Sequence, residues 1–533
     1  MPQSIALPVA LGALLTAVLS RGAMGQVAVP DLPHPGLVEA YRQAAQKNVL
    51  AAVNHKVFKG YWSVCADGQG FGYGNTYPSL DGHQLADALL WLGEVDTVKA
   101  NWDYVRRFQR KDGLLPIAIL PGAAGQKIGP PGATSPVEPN GALYQHWVPG
   151  NPLGALASPT YIQNADVLFR HTQDRAWLAA QMPSVNLAAD YLASLTTPQG
   201  AVKGAGYYLE RPLRFESDGV TQCYAVDAFR RVAALNRVLG DDSKARRYDA
   251  LAERIRRHFT TKFWVGDHFA EYLHPQRGLI AHHGLTDVDW AAIAADAATA
   301  EQAAVLWPRL KDEKRFHYGG MPTGIATRPE TYEDWEFSHA DRHDLAAMGR
   351  VWYLEAWART RRGDAAGLLD GLAKVAEVGR RHGYSWRERY HPDGKGGSTP
   401  AGPDTYCEYP ANLIRIVQEF LLGVEHRLDG SVLLAPTVTP EFARHGFGQT
   451  LVWQGRRLEY RFLQGRIAGS YAGSGPQRLA IRWPSGITPT KAQATIDGQP
   501  AEIARDGDVL MLTLPAAPAE RPCRFALSDA GDR

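Results

Sequence analysis

Carboxylates occur in several long polar stretches of the chain that are far apart in the sequence. Asp81 lies in GNTYPSLDGHQ, Asp218 in RFESDGVTQ and Glu388 in YSWRERYHPDGKGG. Cleaving a glycosidic bond requires a proton donor beside the leaving oxygen and a second carboxylate across the sugar. The two are about 6.5–9.5 Å apart when the anomeric centre is inverted. No single stretch holds such a pair, so the fold must assemble it.

We predict that Asp218 protonates the leaving oxygen and that Glu388 activates water, with Asp81 as the alternative proton donor. Arginines on both sides of Glu388 would keep it ionised, as a base requires, and a plain surface salt bridge is the alternative. Asp218 is followed by Gly-Val-Thr, a fair start for a helix. A role as helix N-cap alone is therefore the alternative for Asp218.

Aromatic, acidic and basic side chains in the same stretches could contact a sugar. Those predicted to stack on sugar faces or to bind hydroxyl groups are Tyr77, His83, Glu216, Glu333, Trp335, Glu336, Trp386, Arg387 and Tyr406. The histidines and aspartates that follow Glu336 lack the tight spacing typical of metal ligands. We therefore expect no metal and no cofactor.

The stretch from Gly206 to Trp264 indicates which elements carry these residues. Apolar residues recur at helical spacing after Val220 and again after Asp242, the second time opposite a charged face. Gly240 stands where the first helix needs a stop, and Asp241 where the second needs an N-cap. The pattern predicts a helical hairpin with a buried inner helix and a half-exposed outer helix.

This hairpin pattern repeats along the chain, with short turns inside each pair of helices and long irregular connections between pairs. Inner helices are predicted to begin near Asp81, Thr160, Val220, Thr286, Arg342 and Thr405. Outer helices are predicted near Glu94, Asp174, Asp242, Thr299 and Asp364, and an early helix at 37–53 supplies the twelfth. Six hairpins are typical of an all-α (α/α)6 barrel, a six-hairpin toroid. The long connections then share one face, where we expect the site.

A different pattern begins near residue 426. Short alternating runs such as RRLEYRFL and DVLMLTLP are typical of strands, and Asp497-Gly498 and Asp506-Gly507 are typical of hairpin turns. We predict that residues 26–425 form the barrel. Residues 426–533 are predicted to form a C-terminal antiparallel β-sandwich with a packing role.

Composition and charge limit the classes of partner that the chain is expected to bind. The chain has 533 residues and a net charge of +2, which gives no reason to expect nucleic acid or an anionic membrane as partner. The apolar stretch before Gly25 predicts a signal peptide over residues 1–25 and a periplasmic or secreted protein, with an uncleaved anchor as the alternative. No later stretch is expected to cross a membrane. The four cysteines form no metal-binding pair and leave room for one disulfide.

The hairpin VDAFRRVAALNRVLGDDSKARRYDALAERIRRHF and the segment WDYVRRFQRKDGLLP resemble the six-hairpin glycosidases. This clan includes glucoamylases, trehalases, α-L-rhamnosidases and mannosylglycerate-hydrolase-like enzymes. The likeness runs over residues 55–425, and many members carry a β-module where this chain has one. The resemblance implies an (α/α)6 barrel and a glycoside hydrolase that acts on an oligo- or polysaccharide with inversion.

Single segments are similar to the motifs of these families. Glu216-Ser217-Asp218 resembles the E-S-G-x-D segment that holds the acid in mannosylglycerate-hydrolase-like and trehalase-like members, but lacks the intervening residues. Glu388 to Gly394 resembles the E-x-Y-x-P-x-x-G segment of their base, with one residue fewer, and Trp386 to Tyr390 resembles the W-E-R-W-like segment of rhamnosidases. The chain lacks the D-E-R-x-G-W-x-G-D segment of the rhamnosidase acid. Asp81 therefore stays a rival, and rhamnose specificity stays open.

Two other functions are compatible with the pattern. A polysaccharide lyase on a similar architecture would abstract the C5 proton of a uronic acid with Tyr318, His317, His339 or Tyr406. A lyase product absorbs in the ultraviolet and a hydrolase product does not. The second alternative, a non-catalytic glycan-binding protein, would show no turnover on any glycan.

Overall fold

The computed structural model describes most of the chain. It covers residues 28–68, 82–129, 134–145, 154–204, 217–337, 342, 345–463, 465–484 and 491–529. The predicted signal peptide, residues 1–25, lies outside this part. Among the described residues, none of the helices combines the length and the apolar character that a membrane crossing requires.

Helices make up most of the described chain up to Leu421. In order they are α1 (Pro35–Gln43), α2 (Gly82–Trp91), α3 (Val95–Arg106), α4 (Gly154–Thr172), α5 (Arg175–Ser194), α6 (Gly219–Leu239), α7 (Asp242–Lys262), α8 (Asp287–Ala294), α9 (Ala300–Leu310), α10 (Gly349–Arg361), α11 (Ala365–Arg381) and α12 (Glu408–Arg415). π-helical segments Ala44–Val49 and Ile416–Leu421 extend α1 and α12. Each helix that we predicted is present.

Two inner helices begin away from their predicted starts, for local reasons. The predicted start near Thr160 follows Pro159, but Pro159 lies inside α4, which begins at Gly154. The start predicted near Arg342 falls instead at Gly349, because a short strand comes directly before α10. In both cases the residue taken as the start of the helix, Thr160 after a proline and Arg342 in a polar stretch, is not where the helix begins.

Local capping explains why the hairpin of α6 and α7 was predictable. Gly240 ends α6 in the left-handed conformation, with φ +85°, which glycine adopts without steric cost. Asp241 caps α7, because its Oδ1 accepts a hydrogen bond of 3.0 Å from the backbone N–H of Lys244. The turn is therefore fixed by residues within it.

Six helices contact one another in the cyclic order α2, α4, α6, α8, α10, α12 and back to α2. Side-chain pairs show that α2 and α12 run in the same direction. Asn412 donates a hydrogen bond to Gln84, and one turn further along both helices Arg415 forms an ion pair with Asp87. At the start of α6, a Cβ on Gly219 would meet Val288 in the first turn of α8. The helix N-termini therefore share one face, which we call the rim together with the connections that lead into it.

Short strands lie in the rim connections, where the sequence predicted only irregular chain. They are β1 (Ala118–Ile119), β2 (Lys127–Ile128), β3 (Ser135–Pro136), β4 (Ala142–Leu143), β5 (Ser217–Asp218), β6 (Tyr272–His274), β7 (Gly278–Ile280), β8 (Ala347–Met348), β9 (Arg389–Pro392) and β10 (Ser398–Ala401). Two of the sheets have three strands, in the orders β5-β6-β7 and β10-β9-β8. Strand β5 leads directly into α6, and strand β8 leads directly into α10.

The C-terminal module consists of two sheets. Its strands are β11 (Val424–His426), β12 (Val432–Leu434), β13 (Phe447–Trp453), β14 (Arg456–Leu463), β15 (Arg466–Ala472), β16 (Gln477–Arg482), β17 (Ala492–Ile496), β18 (Gln499–Ala501), β19 (Ala504–Asp506), β20 (Val509–Leu514) and β21 (Cys523–Asp529), with α13 (Pro440–His445) between β12 and β13. The orders are β11-β12-β16-β20-β19 and β13-β14-β15-β21-β17-β18. Both predicted hairpin turns are present, and β21 was not predicted.

One pair of strands departs from the predicted antiparallel arrangement. β12 and β16 pair in parallel, while every other described pair in the two sheets is antiparallel. The chain between them runs through three strands of the other sheet, and such a long crossover can return a strand in the same direction. The module is therefore mostly, but not wholly, antiparallel.

The module packs directly on the helical ring. Gln418 of the second π segment and Gln449 of β13 exchange two hydrogen bonds, of 3.0 and 2.8 Å. Trp91 at the end of α2 lies against the ring of His426, with centroids 5.5 Å apart. One continuous cluster of buried apolar residues includes members of both parts.

The possible disulfide does not form. All four cysteines are buried, and no disulfide joins any two of them. Cys65 faces Tyr406 across an isolated antiparallel bridge, and the N–H of Cys407 donates to the carbonyl of Val64. Cysteines 65 and 407 are thus near in the fold, but they are not bonded.

Candidate active site

The two carboxylates of the predicted pair stand on the same rim. Asp218 ends β5 and directly precedes α6. Glu388 directly precedes β9, which pairs with β8 in the register Met348 to Arg389, and β8 leads straight into α10. Asp218 thus lies at the start of α6 and Glu388 beside the strand that leads into α10, and α6 and α10 both pack against α8. The fold therefore does gather distant acids on one face.

Asp218 is the N-cap of α6. Its Oδ2 accepts hydrogen bonds from the backbone N–H and the hydroxyl of Thr221, at 2.8 and 2.7 Å. The residue is only 1 % exposed, and its backbone pairs with Tyr272 of β6. The capping role is therefore real.

Glu388 is held by one of its two neighbouring arginines. Nη2 of Arg389 donates to Oε1 of Glu388 at 2.8 Å, while Arg387 turns to the carbonyl of Gly402 and the carboxylate of Asp404. Gly402 has φ +81°, and a Cβ there would lie 2.6 Å from Oε2 of Glu388. The glycine in this loop is thus required by both the backbone and the neighbouring acid.

A buried ionic cluster that the sequence did not reveal lies behind Asp218. Nε2 of His283 is 3.0 Å from Oε1 of Glu336 and 3.7 Å from Oε2 of Glu271. The hydroxyl of Tyr272 donates to Glu336 at 2.6 Å, and that of Tyr332 donates to Glu271 at 2.9 Å. We call these five residues the His283 cluster.

The hydrogen-bond partners of His283 favour the imidazolium form. Thr331 donates its only hydroxyl proton to the carbonyl of Arg328, so its oxygen must accept from Nδ1–H of His283, at 2.8 Å. Nε2 faces Glu336, which already accepts from Tyr272 and the backbone N–H of Glu333. Burial raises the pKa of Glu336, but the bonds from His283 and Tyr272 outweigh it and bring the pKa to about 2. A proton on each ring nitrogen of His283 is the arrangement that these partners favour.

The His283 cluster positions two parts of the rim at once. Tyr272 is the cross-strand partner of Asp218, and the N–H of Gly219 donates to the carbonyl of Glu271 at 2.9 Å. Glu336 belongs to the connection that carries Glu333 and Trp335. The cluster therefore ties the strand of Asp218 to a second connection that we predicted to contact substrate.

The predicted contact residues of that second connection differ in exposure. Glu333 is exposed and Trp335 partly exposed, and the indole N–H of Trp335 donates to Glu333 at 2.6 Å. The guanidinium of Arg277 lies over the Trp335 ring, 4.0 Å from its centroid. Glu336, in contrast, is 1 % exposed and belongs to the His283 cluster. Its side chain supports the connection rather than facing solvent.

Two predicted stacking platforms are core residues instead. Trp386 has no exposed surface, donates its indole N–H to the carbonyl of Val375 at 3.1 Å, and packs on Gly379 of α11. Tyr406 is 3 % exposed and clusters with Val64 and Cys65. Neither ring presents a face to a ligand, because each fills space between the rim and the helices.

The remaining predictions fall on other parts of the rim. His83 is buried in the first turn of α2, and Arg387 is half-buried in the loop of Glu388. Asp81, Tyr77 and Glu216 lie outside the described residues, as does His339 of the lyase alternative. Their roles stay predictions.

A second buried ion pair on the rim was also missed. Arg350 in the first turn of α10 makes a bidentate pair with Glu408 at the start of α12, at 3.0 and 2.9 Å. The backbone N–H of Arg350 donates to the same carboxylate. A Cβ on Gly349 would lie 3.0 Å from Glu408, so the two helix starts approach closely. The glycine at a helix start was the one available sequence signal.

One described group of side chains has the geometry to hold a metal ion, namely His282, His283 and Glu336. Both ring nitrogens of His283 already have hydrogen-bond partners, Thr331 at 2.8 Å and Glu336 at 3.0 Å. A ligating histidine must offer a free lone pair. As arranged here, these residues fit an ionic cluster better than a metal centre.

Comparison with known protein families identifies the fold of the helical part. The family model of the bacterial α-L-rhamnosidase 6-hairpin glycosidase domain matches residues 135–334. The chain has the six-hairpin glycosidase fold. The resemblance inferred from the hairpin sequences is thereby confirmed at the level of the clan. No curated protein sequence matches the chain.

Solved structures agree with this fold at low sequence identity. The GH78 family rhamnosidase of Bacillus sp. GL1 superposes with a TM-score of 0.60 and 13% identity, over 84% of this chain and 40% of its own. The α-L-rhamnosidase of Dictyoglumus thermophilum gives 0.58 and 10%, over 94% and 51%. That of Streptomyces avermitilis, complexed with L-rhamnose, gives 0.55 and 14%, over 94% and 42%. The chain thus spans about half of these rhamnosidases or less.

Proposed function

We propose that this chain is a glycoside hydrolase that cleaves an oligo- or polysaccharide with a pair of rim carboxylates and inverts the anomeric centre. The observation that carries the proposal is the placement of Asp218 at the start of α6 and of Glu388 beside the strand that leads into α10, on the same rim of a six-hairpin glycosidase fold. Glu388 would activate water, and Asp218 or Asp81 would protonate the leaving oxygen. No cofactor takes part in this scheme.

The proposal extends to the architecture and the location of the protein. The cyclic contacts of six inner helices support an (α/α)6 barrel over residues 26–425, and the two packed sheets support a β-sandwich over 426–533. The apolar N-terminal stretch supports a signal peptide over 1–25 and a periplasmic or secreted enzyme.

α-L-Rhamnosides are the first substrates to test. The matching family model describes a rhamnosidase domain, and one similar structure was solved with L-rhamnose. The chain lacks the segment that holds the rhamnosidase acid, so aryl glucosides and uronides belong in the same screen. Proton NMR of the product released first would report whether the anomeric centre is inverted.

Glu388→Gln tests the mechanism on whichever glycoside is turned over. A positioned base contributes about 10²–10⁴ in rate, so kcat should fall by that much, while circular dichroism should show that the variant remains folded despite the lost ion pair with Arg389. Glu377→Gln, on the exposed face of α11, is the matched control and should keep full activity. Activity of Glu388→Gln within about tenfold of wild type would remove Glu388 from the mechanism.

The lyase alternative finds little support among its described candidates. The hydroxyl of Tyr318 donates to the carbonyl of Ala326 at 2.9 Å, and Tyr318 and Tyr406 are both 3 % exposed. Nδ1 of His317 lies 3.1 Å from the ammonium of Lys374. New ultraviolet absorbance during cleavage would nevertheless establish a lyase. Absence of turnover on every glycan, with unchanged binding in variants of Glu388, Asp218 and Asp81, would establish a glycan-binding protein.

A further inference from the structure

A cavity lies in the helical ring, away from the rim. Its volume is about 420 Å³, within the range of about 300–1,000 Å³ that is typical of small-molecule sites. Its lining includes Trp91, the last residue of α2, and Arg361, the last residue of α10. Because the inner helices begin at the rim, this cavity opens toward the opposite end of the ring. We call it the base cavity.

Aromatic rings form part of its walls. Trp91, Tyr353 and Trp357 all line the base cavity, and both tryptophans are partly exposed. Trp91 and Tyr353 are held in place by one acid, because the indole N–H and the phenol hydroxyl donate to the two oxygens of Glu419, at 3.0 and 2.6 Å. The rings are therefore fixed in orientation before any ligand arrives.

The charged groups of the base cavity balance. Its lining contains four carboxylates and four guanidinium groups, so it has no net preference for an anion or a cation. Several are locked together, since Arg231 binds Asp227 at 2.6 Å and Arg170 binds Glu425 at 2.8 Å. Guanidinium groups can only donate hydrogen bonds, and carboxylates can only accept them.

Two polar groups of the lining have hydrogen-bonding capacity to spare. Oδ2 of Asp87 accepts from Gln163 and forms an ion pair with Arg415, but among the described residues nothing donates to Oδ1, although Asp87 is only 2 % exposed. Burial raises the pKa of this carboxyl against the lowering effect of Arg415. Within the described chain, Arg361 makes no ion pair and only a cation–π contact with Trp357, 5.5 Å from the ring centroid.

We propose that the base cavity is a second binding site, for a neutral hydroxylated ligand the size of a monosaccharide. A hydroxyl group both donates and accepts, so neighbouring hydroxyls can bond a carboxylate and a guanidinium in turn. The apolar C–H face of a sugar ring packs well on an indole. This site does not rest on the proposed hydrolase activity, because its residues lie outside the rim.

The test titrates the full-length protein with L-rhamnose, with D-glucose and with inorganic phosphate at millimolar concentrations. Indole fluorescence and ligand-observed NMR report binding. Ala234→Phe would fill the cavity from its wall without removing a hydrogen bond, and Ala234→Ser is the matched control. We expect at least one sugar to bind wild type, Ala234→Ser and Glu388→Gln alike. Ala234→Phe should weaken that binding by about tenfold or more, equivalent to about 1.4 kcal/mol.

Other outcomes would overturn the proposal. Binding that is lost in Glu388→Gln and kept in Ala234→Phe would assign the sugar to the rim alone. Preference for phosphate over both sugars would make the base cavity an anion site. No response to either sugar by wild type would leave it a structural void. Failure of Glu388→Gln to lose activity would count against the hydrolase mechanism and leave this test unaffected.

Discussion

Nε2 of His283 lies 3.0 Å from Oε1 of Glu336, and both side chains are buried. The pair joins two connections of the rim. Tyr272 donates to the same carboxylate and is paired with Asp218 on the adjacent strand. A buried charge pair of this kind contributes positioning more surely than net stability. Its removal from one side, however, leaves the partner charge buried and uncompensated.

His283→Phe should therefore lower the free energy of unfolding by about 3–5 kcal/mol, because the buried carboxylates of Glu336 and Glu271 lose their imidazole partner. Urea unfolding monitored by circular dichroism measures this change. His282→Phe is the matched control, since His282 is exposed and adjacent. Nitrogen NMR should also show both ring nitrogens of His283 protonated at neutral pH. A neutral imidazole signal would contradict the assignment of charge.

Asp218 has two separable roles, and substitution can distinguish them. Asn is as good an N-cap as Asp, so Asp218→Asn should keep the stability of α6 while losing the transferable proton. Asp218→Ala should also lose the cap, at a cost of about 1 kcal/mol. If Asp218 is the general acid, kcat of Asp218→Asn should fall by about 10²–10⁴. Full activity of this variant would make Asp218 a cap only and transfer the role to Asp81.

Gly402 is expected to be required for the placement of Glu388. A Cβ there would lie 2.6 Å from Oε2 and 2.7 Å from Cβ of Glu388, and the backbone has φ +81°. Gly402→Ala should therefore reduce both stability and activity. Gly394→Ala is the matched control, because Gly394 has φ +70° but open space around it, so only the backbone strain of about 1–2 kcal/mol applies. Equal activity of the two variants would contradict the steric argument.

The junction of the ring and the C-terminal module should weaken in acid. Burial lowers the pKa of His426 from 6.5 to about 4, with a further lowering by Arg170, and burial also lowers that of His171. The unfolded chain therefore binds more protons than the folded one between about pH 6.5 and 4. The free energy of unfolding should fall as the pH falls through that window, by up to about 1.4 kcal/mol per pH unit for His426.

Urea unfolding at several pH values checks this expectation. His426→Gln should show a shallower loss of stability below pH 6.5 than wild type, because one titrating group has gone. His445→Asn, at the exposed last residue of α13, should keep the wild-type slope. The same slope in all three proteins would show that His426 contributes nothing to the acid dependence.

Local signals account for what the sequence predicted well. Gly240 and Asp241 act within their own turn, and the apolar spacing of α6 and α7 reports a face that each helix buries. The Asp497-Gly498 turn is equally local, since it closes one hairpin between Ile496 and Gln499. Such features depend on a few consecutive residues, so a single sequence is enough to find them.

The parts that were missed depend on residues far apart. Strand β5 has two residues and pairs with a strand more than fifty positions later, so no alternation marks it. Trp386 looked like a sugar platform because it stands in a polar loop. Gly379, in the middle of a helical pattern, indicated that another group approaches the helix closely. In the structure that group is the indole ring of Trp386, which occupies the space beside Gly379. A single sequence does not reveal which ring a helix glycine accommodates.

The exchange of hydrogen bonds between Gln418 and Gln449 has a consequence for how the protein can be divided. Each side-chain amide donates one hydrogen bond to the other and accepts one from it. If either glutamine were removed, the buried amide of the other would lose its hydrogen-bond partner. The change of pattern near residue 426 looks like a place to cut. A fragment ending there would bare Trp91 and the apolar surface around it, and we expect it to aggregate rather than stand alone.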